Sequence, residues 1–268
     1  MKLAISNIAW DAPEQTEILQ QLAGLGVNGV EIAPTKLWPG WIEANPPAAS
    51  AIRQTIAASG LQIPALQSVL FGLPELQLLG NVDSQRRLVE HIAVVAQLAN
   101  ALGAQAIVFG LPRNRDRGEL SLAQAMDCAI PVLRRIGDAC AAASTCFCLE
   151  PNPEVYNCNF LTHWQDVAEL AARVEHPGVG IHLDTACIHL AGDDPVEALI
   201  ACSTTMKHFH ISEPELSDFN NPVIDHARIG AALRATAYDG YVSIEMRRQA
   251  DPGGSIHQAI AYVMSHYG

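Results

Sequence analysis

Apolar residues fall along this chain in two alternating rhythms. Short runs rich in β-branched and aromatic residues read as strands: LAISN (3–7), GVEIA (29–33), QIPALQSV (62–69), QAIVFG (105–110), TCFCLE (145–150), GVGIHLD (178–184), MKHFHIS (206–212) and GYVSIE (240–245). Between them lie longer stretches with helical spacing, among them 14–25, 83–102 and 120–143. Several close at a glycine, as in AGLGVNGVEIA and AASGLQIPAL, where a left-handed C-cap is expected. Eight strand–helix repeats close most naturally as an α/β fold, a single (β/α)8 TIM barrel, with residues 1–268 forming one domain. An open doubly wound sheet is the competing arrangement, but no Gly-x-Gly-x-x-Gly follows the first strand. No linker or low-complexity tract interrupts the pattern.

The same pattern contains an anomaly. FCLEPN (147–152) puts a carboxylate, Glu150, at the end of a run that reads as buried, where an unpaired charge is costly. The next three strands also end in polar groups that bind metals: Asp184 in HLDT, His210 in HFHIS and Glu245 in SIEM. Each interval approximates one repeat of a barrel in which about 250 residues make eight units, so the four side chains are expected on adjacent strands at the C-terminal mouth. Strand alternation puts Cys146, Cys148 and Glu150 on one face, and it groups His182 with Asp184, His208 with His210 and Ser212, and Ser243 with Glu245. Ile181, Leu183, Phe209, Val242 and Ile244 would then face the helices. Each acid alone could be an ordinary strand-end residue bonded to backbone amides. Three carboxylates converging without a cation would repel one another, and one divalent metal ion removes that conflict. Oxygen-rich ligation with one imidazole suits manganese, magnesium or cobalt better than a thiolate-bound structural zinc, while the ion itself, zinc included, does not follow from the residues.

Composition narrows the partners. With 16 basic against 28 acidic residues, net −12, the chain has no global electrostatic footprint for nucleic acid or an anionic membrane, which favours a small-molecule partner. Seven cysteines without Cys-x-x-Cys pairs read as small core residues in a reducing compartment. MKLAISNIAW is too short for a signal h-region with a cleavage site, so a cytoplasmic location is expected. A homo-oligomer is left open.

Further candidates flank the four ligands. PRNRDRG (112–118) brings Arg113, Arg115 and Arg117 to the mouth after the fourth strand, where a guanidinium can clamp a phosphate or carboxylate; Arg247 is a second such group. Glu31 ends the second strand and is expected to bond a substrate hydroxyl or a neighbouring ligand, unless it pairs with Lys36. His182 and His208 lie one layer deeper than the ligands and read as groups that support them, within reach of a substrate. Glu213, directly after the seventh strand, joins the substrate-binding candidates, and Trp10, Trp38 and Trp41 could wall the pocket or pack their loops.

On GVEIAP, VFGLPRNR, the Glu150–Asp184–His210–Glu245 series, HFHISE and YDGYVSIEM, the chain resembles the sugar phosphate isomerase/epimerase family of xylose-isomerase-like TIM barrels over its whole length. The resemblance implies that Glu150, Asp184, His210 and Glu245 hold one divalent metal and that Glu150 and Glu245 double as an acid/base pair. Two positions depart from the ketose 3-epimerases of that family, which carry a substrate-binding histidine where this chain has Cys187, with His189 two further on, and an arginine where it has Leu216. Both departures remove groups that bond sugar hydroxyls. The expected chemistry is metal-dependent isomerisation or epimerisation of a sugar, sugar phosphate or related hydroxy-carbonyl compound through an enediolate, with the metal polarising the carbonyl. Dehydration of an inosose-like substrate and a non-catalytic metal-binding barrel are the alternatives. A DNA-repair endonuclease of the superfamily would need more histidines and a basic groove than this chain has.

Overall fold

The computed structural model describes residues 2–268. In chain order its elements are β1 (Lys2–Ser6), α1 (Gln15–Gly24), β2 (Gly29–Glu31), α2 (Pro34–Leu37), α3 (Pro46–Ala58), β3 (Ala65–Leu66), α4 (Val82–Leu102), β4 (Ala106–Phe109), α5 (Leu122–Ala142), β5 (Cys146–Leu149), α6 (Trp164–Val174), β6 (Val179–Asp184), α7 (Thr185–Leu190), α8 (Pro195–Cys202), β7 (Met206–Ser212), α9 (His226–Arg234), β8 (Tyr241–Glu245) and α10 (Pro252–Tyr267). The strands pair in parallel in the order β2-β1-β8-β7-β6-β5-β4-β3. Isolated bridges from Gly29 to Gln62 and from Ile32 to Leu66 join the two outer strands, so the sheet is a nearly closed TIM barrel.

Seven of the eight strand readings agree with the structure to within a residue or two. The exception is the third, where only Ala65–Leu66 is strand. Pro64 has no N–H to give a ladder, and Ser68 turns the chain out of the sheet at a φ of 54°. Gly26 and Gly60 end their helices with φ of 80° and 78°, in the left-handed conformation that glycine adopts without steric cost.

Two packing environments explain the alternation of side chains. Ile181, Leu183, Phe209, Val242 and Ile244 belong to the large core between sheet and helices. Cys146 and Cys148 instead form a small cluster with Ala65 and Ala106, and Glu150 stands on the same face of its strand, one step nearer the mouth. All seven cysteines are free thiols and only Cys128 is exposed. Among the described residues, no helix is long and apolar enough to cross a membrane.

Candidate metal centre and cleft

Four consecutive strands deliver the polar groups because β5, β6, β7 and β8 pair side by side, and past a register shift between Ile181 and His182 Asp184 lies beside His210 and Ser212 beside Glu245. Asp184 is also the N-cap of α7: its Oδ1 accepts from the Cys187 amide at 2.7 Å, and its Oδ2 accepts from Ser212 Oγ at 2.7 Å. Glu150 lies just past β5. Its Oε2 accepts from Asn152 Nδ2 at 3.2 Å, while Arg115 Nη1 donates to its main-chain carbonyl at 2.6 Å. A Cβ on Gly110 would collide with the Glu150 carboxylate, so only glycine leaves room for that acid at the end of β4.

His210 connects two layers. Its Nε2 faces down onto the buried Glu31 carboxylate, 2.9 and 3.0 Å from the two oxygens, and His208 Nε2 lies 3.3 Å from the same group. Burial works against ionisation of Glu31, yet the two histidines outweigh it and hold its carboxyl well below the usual range. An ionised carboxylate can only accept, so Glu31 keeps the proton on Nε2 and leaves Nδ1 to face the mouth. That Nδ1 lies 3.2 Å from Glu245 Oε2 and 3.8 Å from Asp184 Oδ2. It forms no hydrogen bond with either.

The upper layer is electrostatically unsettled. Burial, then the charges of Asp184 and Glu245, push the Glu150 carboxyl well above the carboxylate range. Burial and Glu245 likewise raise Asp184. Burial opposes the imidazolium of His210, but Glu31 and Glu245 more than offset it and raise that group well above the ordinary histidine value. A divalent cation relieves all of this at once. The donor set fits such an ion, since ligand atoms of Asp184, His210 and Glu245 lie within 4.8 Å of one another. Glu150 joins one such grouping with Asp184 and Cys187 and another with His182 and His210. It thus borders the triad rather than completing a single four-residue cluster in this conformation.

Above this centre opens a cleft of about 340 Å³, into which Glu150, His210 and Glu245 project. Gln67, Ser68, Asn152, Tyr156 and Glu215 supply its other polar surface. Cys187 and Leu216 line it as well, so both departures from the ketose 3-epimerase pattern fall on the cleft wall. Sequence reading passed over Gln67, Ser68, Asn152 and Tyr156. Gln67 and Asn152 had a signal, each following a strand end at the same mouth, whereas Tyr156 is brought in by the loop after β5.

Several expected contacts lie elsewhere. Glu31 is not among them: it is fully buried and bonds a neighbouring candidate ligand, His210, together with His208, while Lys36 pairs with Asp11 at 2.6 Å. Trp10 sits in the core and donates to Gln15 Oε1, because its loop folds inward. Trp38 is also core, and Trp41 packs edge-on against His91. Glu213 turns away from the cleft to accept from the Val223 and Ile224 amides and to meet His226 Nε2 at 2.8 Å. Arg247 is exposed and stands off the cleft. His182 and His208 are buried beneath Asp184 and His210, their rings stacked with centroids 5.4 Å apart. Of the three loop arginines, Arg115 is fully buried over the Phe109 ring, Arg117 binds the Asn159 and Leu120 carbonyls, and only Arg113 remains exposed.

A family model described as xylose isomerase-like TIM barrel matches residues 19–266. No curated protein matches the chain in sequence. Among solved structures, the 3-keto-D-glucoside 4-epimerase of E. coli superimposes with a TM-score of 0.80 at 21% identity, covering 99% of each chain. A D-psicose 3-epimerase from Clostridium cellulolyticum H10, solved with D-tagatose, gives 0.82 at 16% identity over 100% of this chain and 99% of its own. The IolI protein with a bound zinc atom gives 0.74 at 14% identity over 99% and 96%. At these identities the likeness is one of fold.

Proposed function

The chain belongs to the xylose isomerase-like TIM-barrel family, and on that premise we propose that it is a metal-dependent isomerase or epimerase of a small hydroxy-carbonyl compound of the sugar kind. The observation that carries the reading is the His210 Nδ1 that faces the carboxylates of Asp184 and Glu245 in a buried floor without bonding to them. Glu150, Asp184, His210 and Glu245 would hold a divalent ion, which supplies Lewis-acid polarisation of a carbonyl. Sugar epimerases and a zinc-bound protein among the structural neighbours are in keeping with this.

The chain's own groups divide the remaining work. Glu150 and Glu245 enter the cleft from β5 and β8, so one can take the proton from the carbon beside the carbonyl and the other return one to the neighbouring carbon or the opposite face. Asn152 steadies Glu150, Ser212 and the Cys187 amide orient Asp184, and Glu31 orients His210. Cys187 and Leu216 leave fewer hydrogen bonds for sugar hydroxyls than a ketose 3-epimerase has, which favours a substrate other than a free ketose.

The test is metal analysis of the purified protein, followed by incubation with ketoses, keto acids and inososes in deuterated water. Deuterium should enter the carbon beside the carbonyl of the true substrate, in a metal-dependent way. Loss of water instead of exchange would assign a dehydratase. A metal-loaded protein that neither turns over nor exchanges any of these would leave a binding barrel.

A further inference from the structure

A second cavity, of about 570 Å³, adjoins the cleft on the side of β3 and β4. The two share Leu111, Pro112 and Tyr156 as lining residues. It differs from the cleft in its charge, having a cation and no carboxylate, while both are lined by a mixture of apolar and polar groups. Leu70, Phe71 and Pro74 supply apolar surface, Arg113 supplies one cation, and no carboxylate lines it. Phe71 is 63% exposed, so its ring is open to a ligand in the cavity that it lines. The Arg113 guanidinium has no carboxylate partner among the described residues.

The cavity is built rather than incidental. Asn114, only 1% exposed, stitches its two walls together: Nδ2 donates to the Leu73 and Leu76 carbonyls at 2.8 and 2.7 Å, and its own carbonyl accepts from the Leu78 amide at 2.8 Å. Gln77 adds a bond to the Arg113 carbonyl. Tyr156, at the junction of the two spaces, is fixed in turn, since its hydroxyl accepts from the Glu215 amide at 2.8 Å. A preformed space of this kind, with an apolar side at Leu70, Phe71 and Pro74 and polar groups at Arg113, Asn114 and Tyr156, suits a ligand subsite.

We infer that this cavity is a second subsite of the same cleft, and that the substrate is a conjugate in which a sugar-like ring carries an apolar, aromatic substituent. The inference rests on the isomerase reading for the ring end of the site. The ring's oxygens face Glu150, His210 and Glu245, and the substituent passes Tyr156 to lie against Phe71, where burial of its faces drives binding. Arg113 at the edge favours a negative charge on the substituent.

The test uses metal-loaded protein and three probes that carry a ring carbonyl, the methyl, phenyl and 4-carboxyphenyl 3-keto-D-glucosides, with binding followed by calorimetry. Phenyl should bind at least about tenfold tighter than methyl, and carboxyphenyl tighter again. Phe71→Ser, at an exposed position, should remove the phenyl advantage and leave methyl unchanged, while Arg113→Gln should remove only the carboxylate increment. Methyl and phenyl binding within twofold of each other, equal losses for both in Phe71→Ser, or no measurable binding of any probe would each overturn the subsite. Solvent exchange is scored separately: an aryl preference without exchange on any substrate would keep the subsite and reject the isomerase, and exchange without the preference would do the reverse.

Discussion

Two clusters of acids and histidines lie one above the other inside this barrel, and they share a single residue. The lower one, Glu31 with His208 and the Nε2 side of His210, is closed: a fully buried carboxylate is held ionised by two imidazoles within 3.3 Å. The upper one, Glu150, Asp184, Glu245 and the Nδ1 side of His210, is open: the carboxyls of Glu150 and Asp184 are pushed towards protonation and the histidine nitrogen lacks a hydrogen bond. Similar residue types therefore do different jobs according to whether their bonding capacity is used up. A satisfied cluster supports, and an unsatisfied one is available to a ligand.

The sharpest way to break this comparison is to neutralise the upper cluster. Glu150→Gln and Glu245→Gln should each lower turnover by about 10²-fold or more, and saturating metal should not restore it. Full activity of either variant at full metal occupancy would remove that residue from the chemistry. In the lower cluster, Glu31→Gln should act indirectly, weakening metal affinity by about 10- to 100-fold because Nε2 loses its anionic acceptor. A competition assay against a metal-responsive dye reads this, and unchanged affinity would mean that the two layers are uncoupled.

Gly110→Ala probes the upper layer without changing its chemistry. The added methyl must displace the Glu150 carboxylate, so activity should fall by less than in Glu150→Gln while the circular dichroism spectrum stays native. Protonation gives a milder test. In metal-free protein the raised Glu150 and Asp184 hold protons that the unfolded chain has already released, so stability should decline as pH rises from the ordinary carboxylate range through their raised values. Metal should displace those protons, which calorimetry in buffers of different ionisation enthalpy will detect; a buffer-independent heat would argue against it. The smallest effect belongs to Lys36→Ala. Lys36 pairs with Asp11 and not with Glu31, so the change should shift stability by about 0–1 kcal/mol and leave metal affinity untouched.

What could be read in advance follows the same division. The barrel and the upper cluster were legible because strand period and repeat length act along the chain: inward positions alternate, and one strand–helix unit separates successive members of the cluster. Glu31 was legible as an inward carboxylate able to bond a neighbouring ligand, as it does at His210, but not as the partner of His208 as well, since that pairing spans the barrel interior. Trp10 and Glu213 were misjudged for a related reason. Proximity to a strand end says that a residue is near the mouth, while the fold of its loop decides whether it faces the cleft, and Asp11 to Gln15 or Val223 to His226 carry no local pattern that announces it. Arg113 and Arg115 are two residues apart, yet one is exposed and the other lies over Phe109 behind Glu150.

Glu213 has a further implication, for how the protein is made. Its carboxylate meets His226, whose Nδ1 lies 2.7 Å from the Tyr267 hydroxyl at the end of α10. The loop that Glu213 anchors also carries Glu215 and Leu216 into the cleft. Glu213's own partners, Val223, Ile224 and His226, are made directly after it, whereas at about 5–20 residues per second Tyr267 follows only on the order of seconds later. The backing of this rim of the cleft by α10 is therefore added after the rim itself, and a nascent chain halted before α10 would present His226 without its Tyr267 partner.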